Sequence, residues 1–537
     1  MRQYLYNAAF VQDDWKATAR LTINLGLRWD YQAPPTEGND RITVGFDRTS
    51  PSPFIVPGID LRGGLVFAGV DGNPRYPYKR DFKNFQPRVG MAYQLHDRVV
   101  LRVSYGRSFL PLTGSGEEGI NQTGFSRRTG VISSIETGIP FNTLDRPFPE
   151  GLLEPFNGSE KLATNIGSGI SFFNPNFKTP YADQWMVGLD VDLPWKIRVD
   201  AAYVGNRGRK LPINGRAINE VPRAEREKAI ERLGGNASYL STLLPNPFAG
   251  RVPGTILNNS TVQRSQLLRP YPQFQGITMD RVNEGATQYD ALELVVTKRL
   301  SSGLMGVINY TLSKQLEQGV MTAGTTTINT SPNTNSGYLN NGFDAKPWRS
   351  ISGADRTHRL VITALYDLPF GRGRRFGTNL TGPADKLANG WQINVIGEIQ
   401  SGTPTSTPNA ILRQPTAKLP EGQQSLDRWF DNSTATNPRP DGGYAWAVIP
   451  PNDFRTLNVR FGDIRDPTQP QWAFSLFKNT RAGDRLSTQF RIEAFNVFNT
   501  PIYGAPEVGV NSSRFGKVTP NQINFPRHIQ LGLRVTF

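Results

Sequence analysis

His528-Ile529-Gln530-Leu531-Gly532-Leu533-Arg534-Val535-Thr536-Phe537 alternates strictly: the odd positions are all apolar, and the even ones are His, Gln, Gly, Arg and Thr. Successive side chains of a strand point to opposite faces, so this stretch predicts a strand with one greasy face and one wet face. It also ends on an aromatic residue, at a terminus that is ordinarily frayed in soluble proteins. A transmembrane β-barrel uses such a strand, because its backbone polar groups must all be satisfied within a closed sheet. An ordinary half-buried strand alternates in the same way, so the rest of the chain has to decide.

Composition narrows the class. The chain has 537 residues, of which 37% are hydrophobic, with 53 glycines, 41 prolines and no cysteine; its mean hydropathy is −0.43. No run of about 18 apolar residues occurs, which excludes a helical membrane protein. A barrel, by contrast, reads as polar on average because half of each strand faces water. Abundant Gly and Pro predict many turns and an all-β chain. Without cysteine there is no disulfide framework and no thiolate metal site. The 60 basic and 45 acidic residues leave +15, but the charge is scattered rather than gathered with stacking aromatics. Nucleic acid is therefore not an expected partner, whereas outer-membrane lipid, lipopolysaccharide phosphates or an anionic ligand are.

Further strands follow the same rule. Leu21-Thr22-Ile23-Asn24-Leu25-Gly26-Leu27-Arg28-Trp29-Asp30-Tyr31 places apolar residues at every odd position and Arg28 and Asp30 on the opposite face. A dry core would not tolerate that charged face, whereas a watery lumen accepts it. About thirteen segments share this character, each near the length that spans a membrane at a tilt. They fall at roughly 3–14, 21–31, 85–95, 98–109, 182–193, 196–205, 287–300, 303–314, 357–368, 391–401, 471–479, 485–497 and 528–537.

The connections alternate in length. Short ones lie at Lys16–Ala19, His96-Asp97, Pro194-Trp195, Ser301-Ser302 and Arg481–Asp484, with Pro369–Gly390 at the same alternating position. Between them run long Gly/Pro/Asn-rich stretches at about 33–84, 110–180, 206–286, 315–356, 402–470 and 498–527. Loops of that length are rare inside a compact domain but normal outside an outer-membrane barrel, whose periplasmic turns are short. Trp15, Trp29, Tyr31, Trp185, Trp195, Phe370 and Trp391 are placed to form interfacial girdles. One loop predicts a helix, from Pro222 through Arg223–Leu233 to Gly234-Gly235, with a solvated charged face.

No catalytic constellation is present, so no enzyme activity and no cofactor are expected. His96, His358 and His528 are far apart and lack helical zinc-site spacing. Gly371-Arg372-Gly373-Arg374-Arg375-Phe376-Gly377 lacks the Lys-Ser/Thr end of a phosphate loop, and no helix is expected after it; a basic periplasmic turn fits better. Asp13-Asp14 and Glu117-Glu118 have no calcium-loop spacing.

Several stretches carry a family resemblance: Phe10-Val11-Gln12-Asp13-Asp14-Trp15 before Leu21–Arg28, Thr179-Pro180-Tyr181-Ala182-Asp183-Gln184-Trp185, Tyr203-Val204-Gly205-Asn206, Pro245-Asn246-Pro247-Phe248-Ala249-Gly250, Leu268-Arg269-Pro270-Tyr271-Pro272-Gln273-Phe274, Tyr310-Thr311-Leu312-Ser313-Lys314, Phe477-Lys478-Asn479 and Arg491-Ile492-Glu493-Ala494-Phe495-Asn496-Val497-Phe498-Asn499. In order and coverage the chain resembles the C-terminal barrel portion of a TonB-dependent outer-membrane receptor of the Oar-like type. The resemblance implies a 22-stranded barrel in the bacterial outer membrane, an N-terminal plug, a TonB box and uptake of a bulky external ligand.

Residues 1–537 depart from that pattern. They show fewer strands and neither plug nor TonB box, and Met1-Arg2-Gln3-Tyr4-Leu5-Tyr6 runs directly into strand-like sequence without a signal peptide. The signal peptide, regulatory-like domain, plug and first strands, and with them the contact to the TonB complex, are therefore expected upstream of Met1. The alternation puts Ile529, Leu531, Leu533, Val535 and Phe537 on the lipid side, and the resemblance implies that they are read by the barrel-assembly machinery. The ligand-binding residues stay unassigned. Two other readings share the sequence features: a surface adhesin-like or structural barrel without energised transport, and a soluble secreted β-propeller, against which stands the lack of a repeat of about 40–50 residues.

Overall fold

In a computed structural model the chain is described over residues 2–537, apart from 111–120, 128, 130–133, 137–138, 141–143, 149–150, 214, 322–327, 330–347, 455 and 483–485. Thirteen strands form one antiparallel meander, an outer-membrane-type β-barrel wall in which each strand pairs with the next in sequence. They are β1 (Tyr6–Lys16), β2 (Leu21–Gln32), β3 (Asn84–His96), β4 (Val99–Phe109), β5 (Tyr181–Leu193), β6 (Ile197–Ile213) and β7 (Val282–Ser301). There follow β8 (Leu304–Gln318), β9 (His358–Asp367), β10 (Trp391–Gln400), β11 (Gln469–Ala482), β12 (Leu486–Phe495) and β13 (His528–Thr536). All thirteen segments expected from the alternation are strands. Strands β6, β7 and β8 run beyond their expected ends, carrying the wall past the apolar zone. A single sequential meander leaves no propeller blades among the described residues. Nor does any pairing there join β1 to β13.

Register decides which side faces what. Leu189 of β5 lies opposite Leu101 and Ala201, whereas Asp190 lies opposite Val100 and Asp200. The same parity runs on through Leu292, Leu312 and His358 to Leu531, which faces Ile492. One face of the sheet thus carries an unbroken apolar belt. Its members stay open: Leu27 is 44% exposed, Leu189 42%, Leu292 48%, Ile308 42% and Leu531 66%. Exposed apolar surface of that extent has lipid as its solvent. No helix among the described residues is long and apolar enough to cross a membrane.

The turns follow from local chemistry. Ser302 and Gly303, both at positive φ, join β7 to β8, the geometry whose twist suits a two-residue hairpin. The remaining short connections lie at the same end of the wall, though residues 483–485 of the turn expected at Arg481–Asp484 fall outside the described set. Two tryptophans dock on glycines of a neighbouring strand. A Cβ on Gly205 would come within 2.2 Å of the Trp185 ring, and one on Gly397 within 2.3 Å of Trp472.

The hydrophobic cores sit in the long connections, not in the wall. Leu65, Phe67, Ile170, Phe172, Phe274 and Ile277 form a cluster from three separate loops, making one lobe of the described residues within 33–83, 110–180 and 214–281. Within it Ile170–Phe173 runs parallel to Ile277–Asp280. A second lobe, from 401–468 and 496–527, closes around Phe430, Trp446, Phe461 and Phe515.

Candidate functional site

The face opposite the apolar belt is lined with charge. Asp190 of β5 accepts from Arg102 of β4 at 2.5 Å and from Arg198 of β6 at 2.7 Å, and Arg198 also holds Asp200 at 2.8 Å. Asp30 of β2 takes Arg28 at 2.8 Å and the Gln86 amide at 2.5 Å. Paired in this way, the charges cost little beside a watery lumen. They also cross-link neighbouring strands on the wet side. Next to them lies a trough of 680 Å³ whose floor includes Gln12, Asn24, Arg88, Ser104, Gln184 and Asn206. Neutral hydrogen-bonding groups and an exposed arginine suit a polar or anionic molecule passing along the wall.

Two ion pairs root the second lobe in the wall. Arg460 reaches Glu317 at the end of β8 at 2.6 Å, and Arg465 reaches Asp355, just before β9, at 2.5 Å. Both carboxylates are buried, Glu317 at 1% and Asp355 at 0% side-chain exposure. Asp355 also accepts from the backbone N–H of Gln315. Behind them Thr403 and Thr405 donate to Asp466 at 2.6 and 2.8 Å. A further contact joins the lobes to each other. Arg232 of the first lobe meets Asp453 of the second at 2.6 Å, and the guanidiniums of Arg223 and Arg226 lie over the Phe454 ring at 5.5 and 5.1 Å.

That contact corrects one expectation. The helix foreseen over 223–233 is shorter, Arg223–Glu227 with a separate turn at Glu231–Leu233, because Ala229 and Ile230 turn inward and are fully buried. Its charged face is not simply solvated, since Arg226 and Arg232 bind the second lobe. After the Gly371–Gly377 turn a helix does form, Gly382–Ala388, whose Asp385 accepts from the Arg372 N–H at 2.6 Å. Among the aromatics, Trp15, Trp195 and Phe370 are exposed near the short-turn end. Tyr31 instead is buried, stacked 4.3 Å from Phe82.

The other singled-out residues stay apart. His358 bonds the Tyr310 hydroxyl at 2.9 Å, and His528 lies beside the Pro526 carbonyl. Among the described residues no three His, Cys, Asp or Glu side chains come together as a metal site; Glu117-Glu118 lies outside those residues. Ile529, Leu531, Leu533 and Val535 share the belt face of β13, and Phe537 follows the strand at 98% exposure. Sequence reasoning missed Glu317, Asp355, Arg460, Arg465, Arg232 and Asp453. Each pair joins residues at least 110 positions apart, so no local pattern announces it.

A family model described as "Outer membrane beta barrel domain" matches residues 1–530. The chain belongs to that family. Its place is the bacterial outer membrane, and the apolar belt is the surface it presents to lipid. No curated protein matches the chain. Solved structures similar to this outer-membrane barrel domain include the ferric yersiniabactin uptake receptor FyuA from Yersinia pestis, at 10% identity and a TM-score of 0.38, covering 100% of this chain and 46% of that one. Another is the pyoverdine outer membrane receptor FpvA from Pseudomonas aeruginosa, at 11% identity and a TM-score of 0.37, covering 100% and 42%. A third is the ferric-catecholate import receptor Fiu from E. coli K12, at 10% identity and a TM-score of 0.37, covering 100% and 45%. The chain thus spans less than half the length of each of these three.

Proposed function

We propose that residues 1–537 are the C-terminal barrel portion of a TonB-dependent receptor of the Oar-like type that takes up a bulky external ligand. In this reading the signal peptide, regulatory-like domain, plug, TonB-contacting segment and first strands belong to a part of the protein upstream of Met1. The observation that carries it is a pair of folded external lobes joined through Arg232–Asp453, the second of them rooted on the wet face of the wall through Glu317–Arg460 and Asp355–Arg465. A passive pore has no need of two lobes with aromatic cores of their own, whereas a receptor needs a shaped surface above its lumen. The ordered sequence stretches that resemble the receptor family support the same reading. The last strand, with Ile529, Leu531, Leu533, Val535 and Phe537, serves in it as the signal for the barrel-assembly machinery.

The test uses the full-length protein from its own gene. A plugged, energised receptor binds the periplasmic domain of TonB and gives no steady conductance in planar bilayers until urea loosens the plug. An adhesin-like or passive barrel fails to bind TonB, and that result overturns the proposal.

A further inference from the structure

Towards the outer end of β10, β11 and β12 the wet face turns apolar. Ile396, Ala473 and Phe495 stand side by side by register, on the face that carries Asp190 and Asp200 further round the wall. Beyond this row, further out, Glu398 lies opposite Gln471, and Gln400 opposite Gln469. The 496–527 loop of the second lobe closes the other side with Ile523 and Phe525, and together these groups bound a pocket of 450 Å³. It shares no residue with the trough along β1–β6. The loop is braced around it. The Asn496 amide donates to the carbonyls of Phe525 at 3.0 Å and Thr500 at 3.2 Å, and the Asn524 side-chain oxygen accepts from the Ile502 N–H at 2.8 Å. Ile502 is buried, and its carbonyl accepts from the Ile523 N–H at 2.8 Å. Phe525 packs edge-on against the His528 ring, with centroids 5.6 Å apart.

The aromatic rings are thus held in place and yet open, Phe495 at 46% and Phe525 at 81% exposure. Apolar side chains fixed towards water and fringed by polar ones mark a binding surface rather than a core. The fringe selects the chemistry of its guest. No lysine or arginine lines the pocket among the described residues, so nothing there receives a phosphate or a carboxylate. Arg359 already holds Oε1 of Glu398 at 2.9 Å, so that carboxylate is neutralised and offers Oε2 as an acceptor. Gln400 donates to Oε1 of Gln469 at 3.0 Å, which leaves the Gln469 NH₂ as a donor, and Gln471 brings a second, exposed amide beside it. A hydroxyl both donates and accepts, and a row of amides with a carboxylate answers both needs. A wholly apolar guest would strand these groups without partners. An extended peptide looks for open backbone groups, whereas β10, β11 and β12 are each paired on both sides. The guest that fits is neutral, rich in hydroxyls and flat on one face, which describes a sugar ring. Its C–H face lies on phenylalanine, and its edge hydroxyls meet Glu398, Gln469 and Gln471.

We propose that this pocket is a subsite for a neutral sugar ring at the outer mouth of the barrel, so that the external ligand is an uncharged oligosaccharide or carries one. That choice of cargo rests on the receptor reading above; the sugar contact itself stands without it.

The test titrates the full-length protein in detergent, by calorimetry, with maltoheptaose, cellohexaose, mannohexaose and chitohexaose, and with oligogalacturonate and a neutral hexapeptide for comparison. At least one of the neutral sugars should bind, and the acidic sugar and the peptide should bind more weakly. F525A, at an exposed side chain, and Q471L should each weaken that binding about tenfold, through loss of one stacking or one hydrogen-bonding contact. F495W, which keeps an aromatic face, should retain it, and so should R374Q in the turn at the other end of the wall. Heat-modifiable gel mobility of each variant verifies that the barrel has formed. Binding of the periplasmic domain of TonB is measured on the same preparations. Sugar binding without TonB binding keeps the subsite and removes energised uptake, whereas TonB binding without sugar binding removes the subsite alone. Failure of all four neutral sugars to bind, equal or tighter binding of the acidic sugar or the peptide, or unchanged affinity in F525A or Q471L would each overturn the proposal.

Discussion

Arg460 of the second lobe and Glu317 of the wall meet at 2.6 Å, and the Glu317 side chain keeps only 1% of its surface exposed. The Ser352 hydroxyl donates to the same carboxylate at 2.7 Å. The pair therefore acts as a pin, holding loop 401–468 against the strand that carries Glu317. Removing one member leaves a buried charge without its counter-ion, which costs more than deleting both.

Arg460→Ala should destabilise the attachment by about 3 kcal/mol. Hydrogen exchange in 402–470 should accelerate while exchange in β8 and β9 stays slow. The double variant E317Q/R460M should recover part of the loss. Unchanged exchange in the single variant would show that the lobe is held by its aromatic core alone.

Asp280, in the parallel pair of the first lobe, makes that lobe sensitive to pH. Burial pushes its carboxyl up from 3.8 to about 6, against a hydrogen bond from the Asn121 amide at 3.3 Å. The folded lobe thus holds this proton more tightly than the unfolded chain does. The resulting stability is fully present below the unfolded value and is lost as pH rises through about 6. The effect is at most about 3 kcal/mol, since each unit is worth about 1.4. Proteolytic susceptibility of the first lobe should increase between about pH 4 and pH 6. Asp280→Asn should flatten that rise.

Orientation has its own readout. With the short turns inside, protease added to whole cells should cut first in the external loops, near exposed Leu144 and Leu152. The Ser302-Gly303 turn should be protected. Cutting at that turn, with both lobes intact, would invert the topology.

Much of this wall could be read directly from the residues. Leu21–Tyr31 and His528–Phe537 state their two faces in every second letter, because lipid on one side and water on the other penalise any exception. Strand ends were harder. Leu211 and Ile213 continue β6 through a bulge that breaks the alternation after Gly208. The lobes were legible only as length and composition. Phe430, Trp446 and Phe515 look like scattered loop aromatics until the chain brings together positions 85 apart, and no local periodicity encodes such a meeting.

The last strand tests the two faces directly. Leu533 lies opposite Phe490 on the belt face at 69% exposure, and Arg534 lies opposite Gln489 on the wet face. In the full-length protein, Leu533→Arg should cost roughly 2–4 kcal/mol if it sits near the midplane, and less near an interface. Arg534→Leu should be mild. Folding into lipid vesicles, followed by gel mobility, measures both. Equal tolerance of the two would sink the assignment of faces.

Residues 1–537 expressed alone should not form a stable pore. The backbones of β1 and β13 each pair on one side only, with β2 and β12, among the described residues. Every residue of β1 is exposed, including Phe10 at 74% and Val11 at 69%. In lipid, an open edge leaves N–H and C=O groups unsatisfied, at several kcal/mol each. Thirteen strands are also an odd number, and bacterial single-chain barrels close on even ones. A β1–β13 seam would have to be parallel, since twelve antiparallel steps bring both strands to the same direction. The two edges should instead recruit other chains, giving aggregates or oligomers in detergent and erratic current steps in planar bilayers. A monomer of 1–537 that conducts steadily would mean that β1 and β13 do close on each other, and that the wall needs no further strands.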